Sequence, residues 1–237
     1  MHKSDDSAPD ASAVCENQVT YDAVEKSIEH LWGVINELSR IGPPNKDFYR
    51  VTIFGSARVK PGQPLYEDVK RLASELSSIG CDIVSGGGPG LMQAANEGEN
   101  LGDPENATRS YGLPIELPFE EGANPFVEKM FKHRTFFTRL HHFVRLSSAF
   151  VVVGGGIGTT LEAMLIWQLL QVEHVDNVPL IFVGDMWKGL VEWAKSSMLA
   201  HDPPFANEED LNIPLCVDTI DEVIEILSAR KAAYDQV

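Results

Sequence analysis

At 237 residues, with a hydrophobic share of 43%, the chain is long enough for one α/β domain or for one domain with an appendage. Its formal net charge of −16 argues against nonspecific binding to nucleic acid or to anionic membranes. No apolar run approaches the length of a membrane span, and residues 1–13 lack the apolar core of a secretory signal. The three cysteines have no metal-like spacing and indicate thiols in a reducing compartment, so we expect a cytoplasmic protein.

The first 49 residues differ in character from the rest. Residues 1–17 are rich in Ser, Asp and Ala, which predicts a disordered tail. Residues 18–49 are expected to form an N-terminal helix and a linker, because apolar residues recur at helical spacing from Tyr21 to Leu38. The run Ile41-Gly42-Pro43-Pro44 then ends that helix. Residues 50–237 remain for the main domain.

In the main domain, short apolar runs alternate with amphipathic stretches. The predicted strands are Val51–Phe54, Cys81–Val84, a segment within Arg109–Leu117, Ala149–Val153, Val178–Val183 and Pro214–Val217. The predicted helices are Tyr66–Ile79, one after Pro89, Phe131–Leu146, Thr159–Val172, Met186–Leu199 and Ile220–Ala233. Repeated β-α units predict a Rossmann-like α/β fold, a doubly wound parallel sheet with helices on both faces. Ligands of such sheets bind beyond the carboxyl ends of the strands.

Two glycine-rich turns connect a predicted strand to a predicted helix. One is Gly86-Gly87-Gly88-Pro89-Gly90, and the other is Gly154-Gly155-Gly156-Ile157-Gly158. Each could be a tight turn that needs no ligand, or an anion site in which the first N–H groups of a helix face the ligand. Two copies favour phosphate binding. Because neither turn has a Walker or a Gly-x-Gly-x-x-Gly spacing, we expect a mononucleotide or a sugar phosphate.

Two charged residues stand near the second glycine turn. Glu162 fits a capping box with Thr159, but a carboxylate on the opening turn of this helix would also lie close to a bound ligand. Arg139 is either a solvated helix charge or a residue that grips phosphate or orients a carboxylate. The adjacent His141 and His142 face different sides of a helix, so we expect no metal site, and no cofactor is implied.

Three motifs together resemble a known family. Gly154-Gly155-Gly156-Ile157-Gly158-Thr159-Thr160-Leu161-Glu162 is similar to the Pro-Gly-Gly-x-Gly-Thr-x-x-Glu signature of the LONELY GUY proteins. These are cytokinin-activating phosphoribohydrolases that are often mislabelled lysine decarboxylases. Ser85–Met92 resembles the family's other glycine loop, and Phe54–Arg58 resembles its first strand and loop. The resemblance covers about residues 50–199.

The resemblance implies roles for individual residues. Arg139 and Glu162 stand at the positions of the family's catalytic arginine and glutamate. The implied substrate- and phosphate-binding residues are Gly55, Ser56, Gly86, Gly87, Gly88, Gly90, Met92, Gly155, Gly156, Gly158 and Thr159. Two positions depart from the pattern: Gly154 replaces the signature proline, and Leu140 replaces a lysine that commonly follows the arginine. The second departure removes a cation and leaves the preferred base open.

The implied reaction is hydrolysis of a nucleoside 5′-monophosphate, such as AMP or a cytokinin riboside monophosphate, to free base and ribose 5-phosphate. The alternative is a non-catalytic nucleotide sensor or carrier with the same fold. Lysine decarboxylation is disfavoured because no lysine stands in a recognisable cofactor-binding context. We expect a homodimer or larger homo-oligomer, because Phe131–Leu146 and Thr159–Val172 carry more apolar residues than one sheet face needs: Phe136, Phe137, Phe143, Met164, Ile166, Trp167 and Leu170.

Overall fold

The computed structural model describes Tyr21 and residues 24–28, 48–116 and 122–236. The chain divides into two units, Met1–Pro43 and Pro44–Val237. In the first unit, Tyr21 and residues 24–28 are helical, as the apolar spacing predicts. The rest of that helix, the linker and the tail expected at residues 1–17 lie outside the described residues.

The second unit is built on one parallel sheet whose strands follow the apolar runs. The strands are β1 (Tyr49–Phe54), β2 (Cys81–Ser85), β3 (Ser110–Gly112), β4 (Lys129–Met130), β5 (Ala149–Val152), β6 (Leu180–Val183) and β7 (Leu215–Val217). Their order across the sheet is β4-β3-β2-β1-β5-β6-β7, and every pair is parallel. At the centre, Val51 of β1 pairs with Ile83 on one side and with Ala149 on the other.

Helices cover both faces of the sheet. They are α1 (Pro64–Ser78), α2 (Leu91–Gly102), α3 (Phe136–Leu146), α4 (Ile157–Gln171), α5 (Asp185–Met198), α6 (Glu208–Leu211) and α7 (Ile220–Tyr234). Side chains alternate across each strand, so Val51 and Ile53 pack with α1, α2 and α7, whereas Phe54, Phe150 and Phe182 pack with α3, α4 and α5. The expected doubly wound α/β fold is confirmed.

The structure differs from the local predictions mainly at the start of α3 and in two elements that were not predicted, β4 and α6. The helix expected from Phe131 begins only at Phe136, because Thr135 caps it by accepting a hydrogen bond from the Thr138 N–H. The residues just before Phe131 form β4, a two-residue exposed strand that no apolar pattern in the sequence indicates. Helix α2 begins at Leu91 with Gly90 as its N-cap, after Pro89 as predicted, although Pro89 itself lies outside the first turn. The short helix α6 was not predicted.

Among the described residues, no helix has the length and apolar content needed to cross a membrane.

Candidate functional site

The predicted site residues meet where the strand order reverses. The chain leaves β1 toward β2, β3 and β4, and then returns to place β5 on the other side of β1. The loops after β1, β2 and β5 therefore open at the same carboxyl edge, on either side of this switch point. Open α/β sheets bind ligands in the crevice that such a reversal creates.

Backbone hydrogen bonds join the three loops. The Ser56 N–H donates to the Gly154 carbonyl (3.1 Å), which connects the β1 loop to the β5 loop. The Leu91 N–H donates to the Ser56 carbonyl (2.9 Å), which connects the β1 loop to the start of α2. The departure from the family pattern at Gly154 leaves the first bond intact, because any residue supplies that carbonyl.

Arg139 lies between the two glycine turns and is held from several sides. Its Nε donates to the Leu113 carbonyl (2.6 Å), and its guanidinium carbon lies 5.2 Å from the centre of the Phe143 ring. A methyl group on Gly86 would overlap the Arg139 Nη2 atom, so the β2 loop and this guanidinium are in close contact. Its side chain is 11% exposed. The solvated-charge interpretation of Arg139 is therefore wrong.

Glu162 is the partner of Arg139. The Nη1 of Arg139 donates to Glu162 Oε1 at 2.9 Å, and the Glu162 side chain is 12% exposed. Burial raises the pKa of Glu162 to about 6, although the positive charge and hydrogen bond of Arg139 act to lower it. A carboxyl group with this pKa exchanges a proton readily near neutral pH, which is typical of a general acid or base.

The capping-box alternative for Glu162 is wrong. Helix α4 begins at Ile157 with Gly156 as its N-cap, and no side chain caps it. Thr159 thus lies inside the first turn and Glu162 inside the second, too far along to close back on the first N–H groups. Capping boxes do occur elsewhere in the described chain, at Thr219–Glu222 and Asn207–Asp210.

The glycines of the site divide into two kinds. Gly55, Gly86, Gly87, Gly90 and Gly155 are packed so closely that an added methyl group would press on neighbouring atoms, and Gly90 also has a left-handed φ of 72°. At Gly156 and Gly158, by contrast, a methyl group would meet nothing within 4 Å. The fold gives no steric reason for glycine at these two positions, which open the N-terminus of α4. Close approach of a ligand would give one.

The other predicted site residues line the loops. Met92 packs beneath the β2 loop, where its sulfur would overlap a methyl group on Gly86. Thr159 is 5% exposed and lies against Gly155. Leu140, at the position of the family's lysine, is buried with 8% exposure and belongs to the packing of α3.

Two histidines lie near Arg139. The Nε2 of His133 is 3.0 Å from the Nδ1 of His142, with the two rings edge to face. Burial, and then the neighbouring His133, lower the pKa of His142 to about 4. Burial and the charge of Arg139 also lower the pKa of His133. Both imidazoles are therefore neutral at neutral pH and leave Arg139 as the cation beside Glu162.

Sequence reasoning missed the polar residues that support the β2 loop. Ser85, Asn96 and Asn124 are connected by hydrogen bonds beneath Gly87 and Gly88. The signals available were an Asn-Pro pair at Asn124, which favours a turn, and an asparagine at a buried position of α2. Neither indicates a ligand by itself.

A cavity of about 220 Å³ lies elsewhere, between α4 and α5. Its lining includes Trp167, Trp193, Met198 and Phe205, and it contains none of the predicted site residues. Its lining contains Asp210 but no lysine, arginine or histidine. It therefore lacks the cation that would hold a phosphate, and we take the carboxyl edge of the sheet as the candidate site.

Comparisons with known proteins identify the family of the chain. A family model described as "Possible lysine decarboxylase" matches residues 92–228. The chain is also 28% identical over 140 residues to the pyrimidine/purine nucleotide 5′-monophosphate nucleosidase of Escherichia coli strain K12. That alignment covers 56% of this chain but only 30% of the E. coli protein, so the chain spans less than a third of its curated relative.

Solved structures share the fold at low identity. The protein TM1055 superposes with a TM-score of 0.53 at 19% identity, over 77% of this chain and 99% of that one. A molybdenum cofactor binding protein from Rippkaea orientalis gives a TM-score of 0.54 at 17% identity, over 80% and 98% of the two chains. The molybdenum cofactor carrier protein of Chlamydomonas reinhardtii gives 0.57 at 16%, over 78% and 99%.

The family match includes α2 with Met92, the arginine of α3, and the glycine turn and glutamate of α4. It therefore covers the paired Arg139 and Glu162 and most of the surrounding sheet. The chain belongs to the family described as possible lysine decarboxylases, the family of the LONELY GUY proteins that its three motifs resemble.

Proposed function

We propose that this protein hydrolyses the N-glycosidic bond of a nucleoside 5′-monophosphate and releases the free base and ribose 5-phosphate. The observation that carries the proposal is the Glu162 carboxylate, buried at the carboxyl edge of the sheet and paired at 2.9 Å with Arg139. The named activity of the E. coli relative supports the same reaction class.

In the proposed reaction, the bond between ribose C1′ and the base nitrogen breaks, and the base leaves with the electron pair. Positive charge grows on the ribose, as it does in glycoside hydrolysis. The carboxylate of Glu162 stabilises that charge and takes a proton from the water whose oxygen bonds to C1′. The departing base takes a proton from solvent. Arg139 orients Glu162 and contacts the ribose hydroxyls.

The 5′-phosphate is assigned to the N-terminus of α4. There the backbone of Gly155, Gly156 and Gly158 leaves N–H groups unused by the helix, and the helix dipole adds to the attraction. Thr159 supports this turn from beneath. The loop containing Gly86, Gly87, Gly88 and Gly90, with Met92 beneath it, lines the nucleotide from β2, while Gly55 and Ser56 close the crevice from β1. A chain with a net charge of −16 needs such local groups to hold an anion.

The test is a panel of nucleoside 5′-monophosphates, including AMP and cytokinin riboside monophosphates, assayed by chromatography for free base. We expect equal amounts of base and ribose 5-phosphate from at least one member. The panel also identifies the preferred base, on which the buried Leu140 gives no information. If no member yields free base, the proposal is wrong.

The alternative is a nucleotide sensor or carrier, since solved proteins of this fold include two named for binding or carrying the molybdenum cofactor. A carrier has no need of a buried carboxylate beside its anionic ligand, because the like charges repel. Tight nucleotide binding with no release of base would favour the carrier. The same panel, repeated with equilibrium binding, therefore decides between the two.

The proposed assembly is a homodimer or larger homo-oligomer. Phe136, Phe137 and Met164 of the predicted contact surface are 48%, 74% and 37% exposed, which supports contact with a second copy. Phe143, Ile166 and Trp167 are instead buried against the sheet, so they are not available for that contact.

A further inference from the structure

A polar network beneath the β2 loop has no part in the reaction described above. Asn96 of α2 is fully buried, and its side chain makes four hydrogen bonds. Its Nδ2 donates to the Ser110 hydroxyl (2.8 Å) and to the Tyr111 carbonyl (3.1 Å). Its Oδ1 accepts from the Ser85 hydroxyl (2.6 Å) and from Asn124 Nδ2 (3.0 Å). An amide with both donors and both lone pairs in use has one fixed orientation.

From Asn96 the network reaches the glycines. The Ser85 hydroxyl, which donates to Asn96, accepts from the Gly87 N–H (2.9 Å). On the other side, the Asn124 N–H donates to the Gly87 carbonyl (2.8 Å), and Asn124 Nδ2 donates to the Gly88 carbonyl (3.0 Å). One residue, 36 positions away in the chain, thus holds two successive carbonyls of the loop.

This arrangement sets the direction of the next donor. In a trans peptide the carbonyl and the following N–H point in opposite directions, so holding the Gly87 carbonyl toward Asn124 turns the Gly88 N–H away from it. The carbonyl of Gly88 is followed by Pro89, which has no N–H to compete. The Asn124 side chain is itself aimed by the Phe126 N–H, which donates to its Oδ1 at 3.1 Å.

Resting on the function proposed above, we propose that Asn124 is a positioning residue that presents the Gly88 N–H to the bound nucleotide, with Asn96 and Ser85 fixing its partner atoms. It does not touch the reacting atoms. Because the Gly88 N–H would contact the nucleotide equally before and during bond cleavage, loss of its orientation should weaken binding more than turnover.

The test is the substitution Asn124→Asp, which keeps the shape of the side chain but replaces the donor with an acceptor. Two acceptors, the Gly88 carbonyl and Asn96 Oδ1, would then face a carboxylate. We expect the KM for AMP, or for the best substrate of the panel, to rise about tenfold or more, with kcat changed less than about threefold. If Asn124→Asp fails to fold, Asn124→Ser is the second variant. The shorter serine side chain does not reach the Gly88 carbonyl and adds no charge, so KM is expected to rise in the same way.

The matched control is Asn100→Asp. Asn100 Nδ2 donates to the Phe126 carbonyl (3.2 Å) and so binds the same segment of chain as Asn124, but it makes no hydrogen bond to the glycine loop. A purely structural role would raise KM in both variants, and that result would overturn the proposal. An unchanged KM in the Asn124 variants would overturn it as well.

Calorimetric titration with AMP separates the two proposals. If the wild-type protein binds AMP but releases free base from no member of the panel, hydrolysis is wrong. Weaker AMP binding by Asn124→Asp but not by Asn100→Asp would still support the positioning role. If base is released and the Asn124 variants bind AMP as tightly as wild type, the positioning role alone is wrong. A wild-type protein that binds no nucleotide in the panel would overturn both.

Discussion

Glu162 occupies an unfavourable place for an anion, since it is almost buried and lies beside a proposed phosphate site. Arg139 offsets only part of this cost, because the pKa of Glu162 remains raised to about 6. A fold that keeps such a residue has a lower free energy of unfolding above pH 6 than it would have with a neutral side chain there. Strain of this kind concentrates at functional sites.

The first prediction concerns Glu162→Gln. Glutamine keeps the shape of the side chain and can still accept a hydrogen bond from Arg139, so the protein should fold. Loss of general base and charge stabilisation should lower kcat by roughly 10² or more. Binding of the nucleotide, measured by calorimetry, should be kept or become tighter because a negative charge near the ligand is removed. Normal base release by this variant would contradict the catalytic role.

A matched control for that substitution is Glu97→Gln. Glu97 is also a partly buried carboxylate with a close partner, since it accepts a 2.6 Å hydrogen bond from the Tyr66 hydroxyl. Glu97 faces α1, where it also lies 3.6 Å from Lys70 Nζ, and it makes no contact with Arg139 or Glu162. The substitution should leave turnover unchanged.

The second prediction concerns pH. If Glu162 must be ionised to act as a base, kcat should fall as the pH drops through about 6, the pKa to which burial raises it. The phosphate of the nucleotide also titrates near pH 6. The residual activity of Glu162→Gln distinguishes the two groups. The fall in kcat at low pH, the acid limb of the pH profile, should disappear if Glu162 causes it and persist if the phosphate does.

Arg139→Ala gives an independent check on the fall in kcat at low pH. Arg139 lowers the pKa of Glu162, so its removal should move the limb of the pH profile to higher pH as well as reduce turnover. A limb that stays in place when Arg139 is removed would mean that another group controls it.

At the scale of elements, helix α4 begins with glycines that its own stability does not require. Its first turn contains Gly158 in open space, where alanine would be a better helix former. The sequence predicted the glycine turn and the helix after it, but placed the helix start two residues late, at Thr159. That shift created the apparent capping box with Glu162, which the observed helix start at Ile157 excludes.

The third prediction follows for Gly158→Ala. We expect the free energy of unfolding to rise by about 0.5 kcal/mol, because alanine favours the helix, while KM rises about tenfold because the methyl group occupies space assigned to the phosphate. Gly189→Ala is the control, because Gly189 lies in α5 and is also in open space. This substitution should stabilise the fold without changing KM. Thermal unfolding and steady-state kinetics measure both effects.

Gly90→Ala should behave in the opposite way. Its φ of 72° costs an alanine about 1–2 kcal/mol, and the added methyl group would overlap the Ser56 carbonyl. We therefore expect loss of stability first, with any loss of activity following from it. Equal stability losses at Gly90 and Gly158 would contradict the division of the glycines into packed and open positions.

At the scale of the whole molecule, the sequence predicted the doubly wound sheet because the central strands are apolar runs, and each of these runs ends at a glycine-containing turn. It could not predict β4, because Lys129 and Met130 are exposed and the strand is defined by pairing with Tyr111 and Gly112, which lie far away in the chain. The same limit applied to the site. Arg139 and Glu162 were found from a motif, whereas the support from Leu113 and Asn124 depends on contacts between segments distant in the chain.

The last prediction concerns assembly of the protein into a homo-oligomer. The exposed apolar side chains of α3 and α4 include Phe137 at 74% and Ile157 at 88%, and both lie near the carboxyl edge that carries the proposed site. Large exposed apolar groups on adjacent helices indicate a contact surface. We expect a dimer or larger species at micromolar concentration in sedimentation equilibrium, and Phe137→Ser should weaken its assembly about tenfold or more. Leu101→Ser is the control, because Leu101 is also exposed, at 62%, but lies in α2, which packs on the opposite face of the sheet from α3 and α4. A monomeric wild-type protein would contradict the prediction. Equal weakening of assembly by the two variants would mean that the contact surface does not lie on α3.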